Sequence, residues 1–284
     1  MAVSPFEYEY LRRFVKAHSG LALGASRQAA EHRLGIVVRC AGLADIAGLV
    51  LRLRAGDDAL AARVIEAMTN RETWFFRDRA LFDCIRDTTL PALIAARRHR
   101  RTLRILSAGC STGQEPYSLA MLLHDMSAAF EGWQVELIAG DVSDAALDAA
   151  RQGLYSQSEV QRGLPIRLLL SHFSQDRAPT PAWRIAPHIR DRVSFHPLNL
   201  VDDVTLSGEF DLVLCRNVLG AFDPAAKLSA LGGLKRITAP DGFLALGAEE
   251  NMASMAGGFA HVADCAGLYR ATRAAPPRLK LVAG

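Results

Sequence analysis

The sequence is short of cysteine, of net charge and of long apolar runs, and each shortage removes a class of protein. Its five cysteines (Cys40, Cys84, Cys110, Cys215 and Cys265) are scattered, and none forms a Cys-x-x-Cys pair. Such spacing suggests neither a disulfide framework nor a zinc site, and a reducing compartment fits. A formal charge of +3 over 284 residues is too small to imply nucleic-acid binding. No apolar run reaches the roughly 18 residues of a membrane span, and the N-terminus has no signal-peptide core. A soluble cytoplasmic protein is expected, without membrane insertion and by default monomeric. Two nucleotide-site signatures are missing as well. No Gly-Lys-Ser/Thr loop and no three-glycine dinucleotide fingerprint is present, which argues against a P-loop and against a standard NAD site.

What is there changes character near residue 100. Before it, no strand pattern occurs. Phe6, Tyr10, Phe14 and Ala17 recur at helical spacing, and Gly20 reads as a helix stop. Ser26, Asp45 and Asp57 are placed to cap three more helices. Residues 1–70 therefore read as a helical domain. Its second helix carries Arg27, His32, Arg33 and Arg39, facing either plain solvent or an acidic partner. Residues 71–100 read as a linker. Within it, the aromatic run Trp74–Phe76 suits a hydrophobic anchor that could hold Thr73 and Arg77 at a pocket. The run Arg97-Arg98-His99-Arg100-Arg101 reads as a solvated stretch.

From residue 101 to 284, strands and helices alternate, which predicts a parallel sheet in an α/β domain. Leu103 to Leu106 suit a buried strand; small residues from Ser107 to Gly113 suit a tight turn, and Pro116 suits the first turn of a helix. Gly109 and Gly113 would let a ligand approach the main chain. A second strand, Val135–Ala139, ends at Gly140-Asp141, where a carboxylate can accept from ribose hydroxyls or cap the next helix. Residues 153–197 break the rhythm with five prolines and short strand-like pieces. Their histidines, His172, His188 and His196, show no metal-ligand spacing. A third strand, Phe210–Cys215, ends in Arg216-Asn217. A helix over Pro224–Ile237, a turn at Pro240-Asp241-Gly242, a strand at Phe243–Leu246 and an edge strand at Leu268–Ala271 complete the expectation.

Four motifs agree in order and spacing: Thr73-Trp74-Phe75-Phe76-Arg77-Asp78, Cys110-Ser111-Thr112-Gly113-Gln114-Glu115-Pro116-Tyr117-Ser118, Asn199-Leu200, and Cys215-Arg216-Asn217-Val218. Together they resemble the CheR family, the chemotaxis receptor methyltransferases, over nearly the whole chain. The resemblance implies a Rossmann-like S-adenosylmethionine-dependent methyltransferase sheet, an N-terminal all-helical domain and a small β-subdomain within 153–197. It implies transfer of a methyl group from S-adenosylmethionine to glutamate side chains of chemoreceptor cytoplasmic domains. It places Arg71, Thr73, Arg77, Gly109, Glu115, Asp141, Asn199, Leu200, Cys215, Arg216 and Asn217 at the cofactor, with Arg77 beside the transferable methyl group as the catalytic residue. The β-subdomain would grip a receptor peptide in some members, the basic helices would touch the methylated region, and the short form of the family is expected. The chain departs from the family at Arg71, where asparagine is usual, at Gln114, at Ala221, where a tyrosine is usual, and at Ala248-Glu249. Those departures leave a second reading open, a cofactor-binding signalling module with weak or no methyl transfer. A nucleic-acid methyltransferase is disfavoured, because the Asn/Asp-Pro-Pro-Tyr signature is missing.

Overall fold

The computed structural model describes residues 3–24, 26–176, 181–202, 206–250 and 258–272. Its first helices begin at capping residues. Helix α1 (Pro5–Ser19) starts behind Ser4, whose hydroxyl accepts from Glu7 N while the Glu7 carboxylate accepts from Ser4 N. It ends at Gly20, whose left-handed φ of 73° closes the last turn. Ser26, Asp45 and Asp57 each accept an amide at the start of α2 (Arg27–Cys40), α3 (Ile46–Arg54) and α4 (Asp58–Met68). The four helices bury Leu11, Val15, Leu34, Val38, Leu49 and Val64 in a core of their own.

Residues 71–100 form more than a spacer. They carry α5 (Arg79–Cys84), a wide π-helical turn (Ile85–Thr89) and α6 (Leu90–Arg97). Leu81, Phe82, Ile85, Leu90 and Leu93 are buried in the same cluster as the sheet that follows. The aromatic anchor behaves as expected. Phe75 is fully buried and meets Tyr155 and Phe173 edge-on, at ring centroid distances of 5.0 and 5.6 Å.

The remainder runs β1 (Thr102–Ala108), α7 (Gln114–Asp125), β2 (Gln134–Asp141), α8 (Asp144–Gln152), β3 (Leu154–Ser156), α9 (Gln157–Gln161), α10 (Ile166–His172), β4 (Phe173–Asp176), β5 (Ala182–Ile185), α11 (Pro187–Arg190), β6 (Val193–Pro197), β7 (Phe210–Cys215), α12 (Pro224–Ile237), β8 (Thr238–Leu246), β9 (Phe259–His261) and β10 (Leu268–Ala271). The main sheet has the order β6-β2-β1-β7-β8-β10-β9. Its first five strands are parallel, and β10 is antiparallel to both neighbours. Strands β3, β5 and β4 make a separate antiparallel sheet within the 153–197 segment. The α/β class and the N-terminal helical region are as expected. None of the helices among the described residues is long and apolar enough to cross a membrane.

Several local expectations fail for physical reasons. The residues Pro240-Asp241-Gly242 form no turn between elements. Strand β8 runs through them, and its register against β7 steps from Phe210–Thr238 to Leu212–Phe243. Three extra residues thus sit in a bulge, which tolerates a proline that cannot donate to the ladder. Strand β10 lies inside the sheet, because β9, too short to signal itself, covers its outer edge. Strand β6 belongs to the main sheet rather than to the small one. The expectation of no disulfide is also overturned. Cys84 in α5 and Cys265, just ahead of β10, are bonded at a Cα–Cα distance of 5.9 Å. They stand 181 residues apart, a separation that no spacing rule reads. Cys40, Cys110 and Cys215 are free.

The arginine run is not simply solvated either. Arg97 is buried; its Nε donates to Asp211 Oδ1 at 2.7 Å and its terminal nitrogens bond the Asp241 carboxylate. Arg100 donates to the same Asp211 oxygen at 2.6 Å, and Arg104 N to the other at 2.9 Å. Asp211 is the second residue of β7 and almost wholly buried, so its charge is compensated, among the described residues, by these donors. Removing one partner of a buried ion pair typically costs about 3–5 kcal/mol. Asp211→Ala is therefore expected to lower unfolding free energy in urea by about 3 kcal/mol or more; a loss below about 1 kcal/mol would show that the cluster is not a stabilising one.

Candidate active site

In an open parallel sheet, a crevice forms at the carboxyl ends of the strands where the strand order reverses. Here that point lies at β1, which has β2 on one side and β7 on the other. A cleft enclosing about 930 Å³, part of it open to solvent, occupies this position. Ten of the eleven residues singled out in the sequence border it: Arg71, Thr73, Arg77, Gly109, Glu115, Asp141, Asn199, Leu200, Arg216 and Asn217. Cys215 does not. It is the last residue of β7, fully buried against Leu106, Leu219 and their neighbours, and burial pushes its thiol well above the usual range.

The turn after β1 is built for close approach. Gly109 N and Cys110 N both donate to Gly140 O, at 2.8 and 3.0 Å, locking the β1 turn onto the end of β2. Gly109 has a φ of 78°, and a Cβ there would lie 2.3 Å from Val218 Cγ2. Any larger residue would have to displace the β7 loop. Backbone strain gathers around the cleft. Phe76, Asp78, Ser111 and Asn217 are non-glycine residues with φ between 51° and 59°. Such conformations cost about 1–3 kcal/mol each and persist only where neighbours impose them.

Arg216 supplies much of that imposition. Its side chain is 1% exposed. Nη1 donates to Glu115 Oε2 at 2.8 Å, while Nη2 donates to Asp78 Oδ2 at 2.6 Å and to Arg77 O at 2.7 Å. The other Glu115 oxygen accepts from Ser107 Oγ at 2.8 Å. One guanidinium thus ties the 71–78 segment, the start of α7 and the end of β7 together. Its Nε is buried without a hydrogen-bond partner among the described residues. Glu250 performs the equivalent task for the β7 loop, accepting from Asn217 N, Gly220 N and Gly247 N at 2.7–2.9 Å.

Asp141 closes β2. Its two oxygens accept from Ser111 N at 2.8 Å and Ser143 N at 3.0 Å, and the helix-capping task falls to Ser143, which accepts from Ala146 N. Burial raises the carboxyl pKa, an effect partly offset by those amide bonds. A carboxylate offers about four acceptor sites, so Asp141 keeps capacity for a ligand's hydroxyl groups. Arg77 is placed by stacking, with its guanidinium 4.3 Å from the Trp74 ring centroid and Nη1 donating to Glu72 O at 3.0 Å. It makes no ion pair among the described residues. Arg71 pairs with Glu66 at 3.3 Å, and its carbonyl accepts from Ser111 Oγ at 3.0 Å. Asn199 donates to His18 O at 2.8 Å, at the end of α1.

That last bond exposes what sequence reasoning missed. The helical domain is itself a wall of the cleft, because Ser19 and Leu21 line it. Leu21 forms an isolated bridge to Phe222, Ala22 N donates to Ala221 O at 2.8 Å, and Lys16 pairs with Asp223 at 2.6 Å. Gly20 was the available signal. A Cβ there would lie 2.4 Å from Val201 Cγ1, so this glycine serves a contact as well as a helix stop.

The donor set suits S-adenosylmethionine. Glu115 and Asp141 offer acceptors to an ammonium group and to ribose hydroxyls; Arg71 and Arg77 can meet a carboxylate, and Val142, Leu198, Leu200 and Val218 provide apolar walls for a purine. The Gly109 cradle admits a ligand where a side chain could not stand.

Comparison with known proteins agrees with the geometry. A family model described as "CheR methyltransferase, SAM binding domain" matches residues 71–266. Chemotaxis protein methyltransferase 1 of Pseudomonas aeruginosa is 36% identical over 254 residues, covering 88% of this chain and 92% of that protein. Chemotaxis protein methyltransferase Cher2 of Pseudomonas putida is 33% identical, with coverage of 88% and 92%. The chemotaxis protein methyltransferase of Escherichia coli is 30% identical, with coverage of 90% and 87%. A glycine-cradled cleft at the sheet's switch point and a family match over most of its length lead to one conclusion: the chain belongs to the CheR family of S-adenosylmethionine-dependent methyltransferases.

Proposed function

We propose that this enzyme, working in the cytoplasm, methylates glutamate side chains of chemoreceptor cytoplasmic domains, forming methyl esters. The observation that carries the choice of acceptor is Arg77, a guanidinium at the cofactor cleft without an ion-pair partner among the described residues. The names of the relatives support the chemotactic setting. When bound, S-adenosylmethionine supplies an electrophilic methyl group on a sulfonium. A glutamate acceptor, with a reference pKa of about 4.3, is already ionised near neutrality and needs no general base. The protein's work is then alignment and exclusion of water.

The residues divide that work. Asp141 would hold the ribose hydroxyls, and Glu115, steadied by Ser107 and Arg216, would hold the ammonium group. Val142, Leu198, Leu200 and Val218 would wall the purine and keep water from that part of the cleft. Arg77 would align the incoming carboxylate through charge-assisted hydrogen bonds. Its stacking on Trp74 leaves the cation partly satisfied, which limits how far it dulls the nucleophile. On α2, Arg27, His32, Arg33 and Arg39 are all exposed, a basic face suited to an acidic methylation region. Ala221 lines the cleft where the family usually has tyrosine, and its carbonyl is held by Ala22 N. Its backbone role survives the substitution.

Two measurements test this reading. S-adenosylmethionine with a labelled methyl group, incubated with the enzyme and membranes carrying the native host's receptors, should give label in receptor bands that mild base releases as methanol. Intact S-adenosylhomocysteine binding without such label would favour the non-catalytic module instead. In a second experiment, Arg77→Ala should lower kcat/KM by about ten- to a hundredfold, the scale of a lost hydrogen bond to a charged group. Its S-adenosylhomocysteine affinity should change less than about threefold. Undiminished turnover would remove Arg77 from the mechanism.

A further inference from the structure

Away from the cofactor cleft, three histidines from distant parts of the chain meet. His124 lies in the last turn of α7, His172 is the last residue of α10, and His188 is the second residue of α11. One ring nitrogen from each falls within 4.8 Å of the other two. The ring centroids are 5.1–5.2 Å apart in all three pairs. None of the three borders the cofactor cleft.

The cluster is under-satisfied as it stands. A single hydrogen bond links its rings, between His172 Nδ1 and His188 Nε2 at 3.0 Å. His124 Nδ1 and His172 Nε2 are buried and have no hydrogen-bond partner among the described residues. Such orphaned polar atoms are costly, at about 1–3 kcal/mol each, and call for an explanation. Ordinary packing does not supply one, since three imidazoles facing each other are a poor substitute for three apolar side chains.

We propose that His124, His172 and His188 form a binding site for a divalent transition metal of the zinc class, with water completing the coordination. Imidazole nitrogen is a ligand suited to zinc, cobalt, nickel and copper. Three protein nitrogens and one open position make a familiar tetrahedral arrangement. With metal–nitrogen bonds of about 2.0–2.1 Å, tetrahedral ligand atoms stand about 3.4 Å apart. The widest separation here must therefore close by about 1.4 Å, which rotation of the exposed His188 ring can provide. Burial lowers the pKa of both His124 and His172, favouring the neutral ring that offers a lone pair. Nearby charges are mixed. Asp125 is paired with Arg167 at 2.6 Å, and Arg192 Nε donates to His188 O at 3.1 Å.

The position gives the site a meaning. His188 follows β5 and His172 precedes β4, so both belong to the segment that carries the small sheet, while His124 belongs to α7. A bound metal would staple that segment to the helix whose other end supplies Glu115. The two ends are separated by about 15 Å, at 1.5 Å per helical residue. The site is thus structural with respect to methyl transfer and does not depend on which acceptor the enzyme uses.

Untagged, chelator-stripped protein titrated with cobalt(II) should bind about one equivalent, with the visible absorption of tetrahedral coordination, and zinc should displace it. Zinc should also raise the thermal midpoint, as any ligand selective for the folded state does. His188→Gln, at an exposed position, should weaken cobalt binding by about tenfold or more, while His196→Gln should leave it unchanged. His124→Gln should match His188→Gln. Absence of saturable binding below about 1 mM, or equal affinity in His188→Gln and wild type, would overturn the site.

Discussion

The buried charge of Arg216 is the constraint on which the active-site architecture depends. A guanidinium taken out of water is stable only if its surroundings present acceptors in fixed places. Here those acceptors are Glu115, Asp78 and the carbonyl of Arg77. They come from two separate stretches, the 71–78 segment and the start of α7, so satisfying one cation from the end of β7 sets the positions of all three segments. The left-handed backbones at Phe76, Asp78, Ser111 and Asn217 surround this point. Their strain is offset by the bonds that converge there, by the Glu250 carboxylate gripping three amides, and by Asp141 gripping two.

Much of this was legible in the sequence, and the reasons for the exceptions are physical. Helix starts at Ser26, Asp45 and Asp57 could be read because capping is a local interaction between residues three apart. Helix α12 was legible to its last residue, since Asp223 and Pro224 announce its start. Buried strands announced themselves as apolar runs. The cleft residues came from the family resemblance; for Asp141, Arg216 and Asn217 the sequence also offered a physical reason, because strand ends in an open α/β sheet converge on one edge. Cys215 was assigned to the cleft by the resemblance and falls outside it. The strand's alternation turns its side chain into the core, while Arg216 and Asn217 beyond it reach the crevice.

What could not be read was set by contacts between residues far apart in sequence. The Cys84–Cys265 bond, the Arg97–Asp211–Asp241 cluster and the meeting of His124 with His172 and His188 all join distant segments. No periodicity carries such information. The same holds for the helical domain's place at the cleft. Composition marked residues 1–70 as separate, but the bond from Asn199 to His18 O and the bridge from Leu21 to Phe222 make its first helix part of the active-site wall. Motion of that domain would alter the cofactor cleft directly, so its exposed basic face and the cofactor cleft are physically connected.

The Cys84–Cys265 bond has a topological consequence. It turns the chain from α5 to the approach of β10 into a covalent ring, which encloses every strand of both sheets except β10. Helices α1–α4 hang from this ring as a pendant, so pulling on the two termini would load the sulfur bridge before the parallel sheet. A single peptide cut inside the ring would open it without releasing a fragment. Reducing thiols would convert the ring back to a linear chain. Redox state would then decide whether the catalytic domain resists forced extension as a closed loop or yields strand by strand.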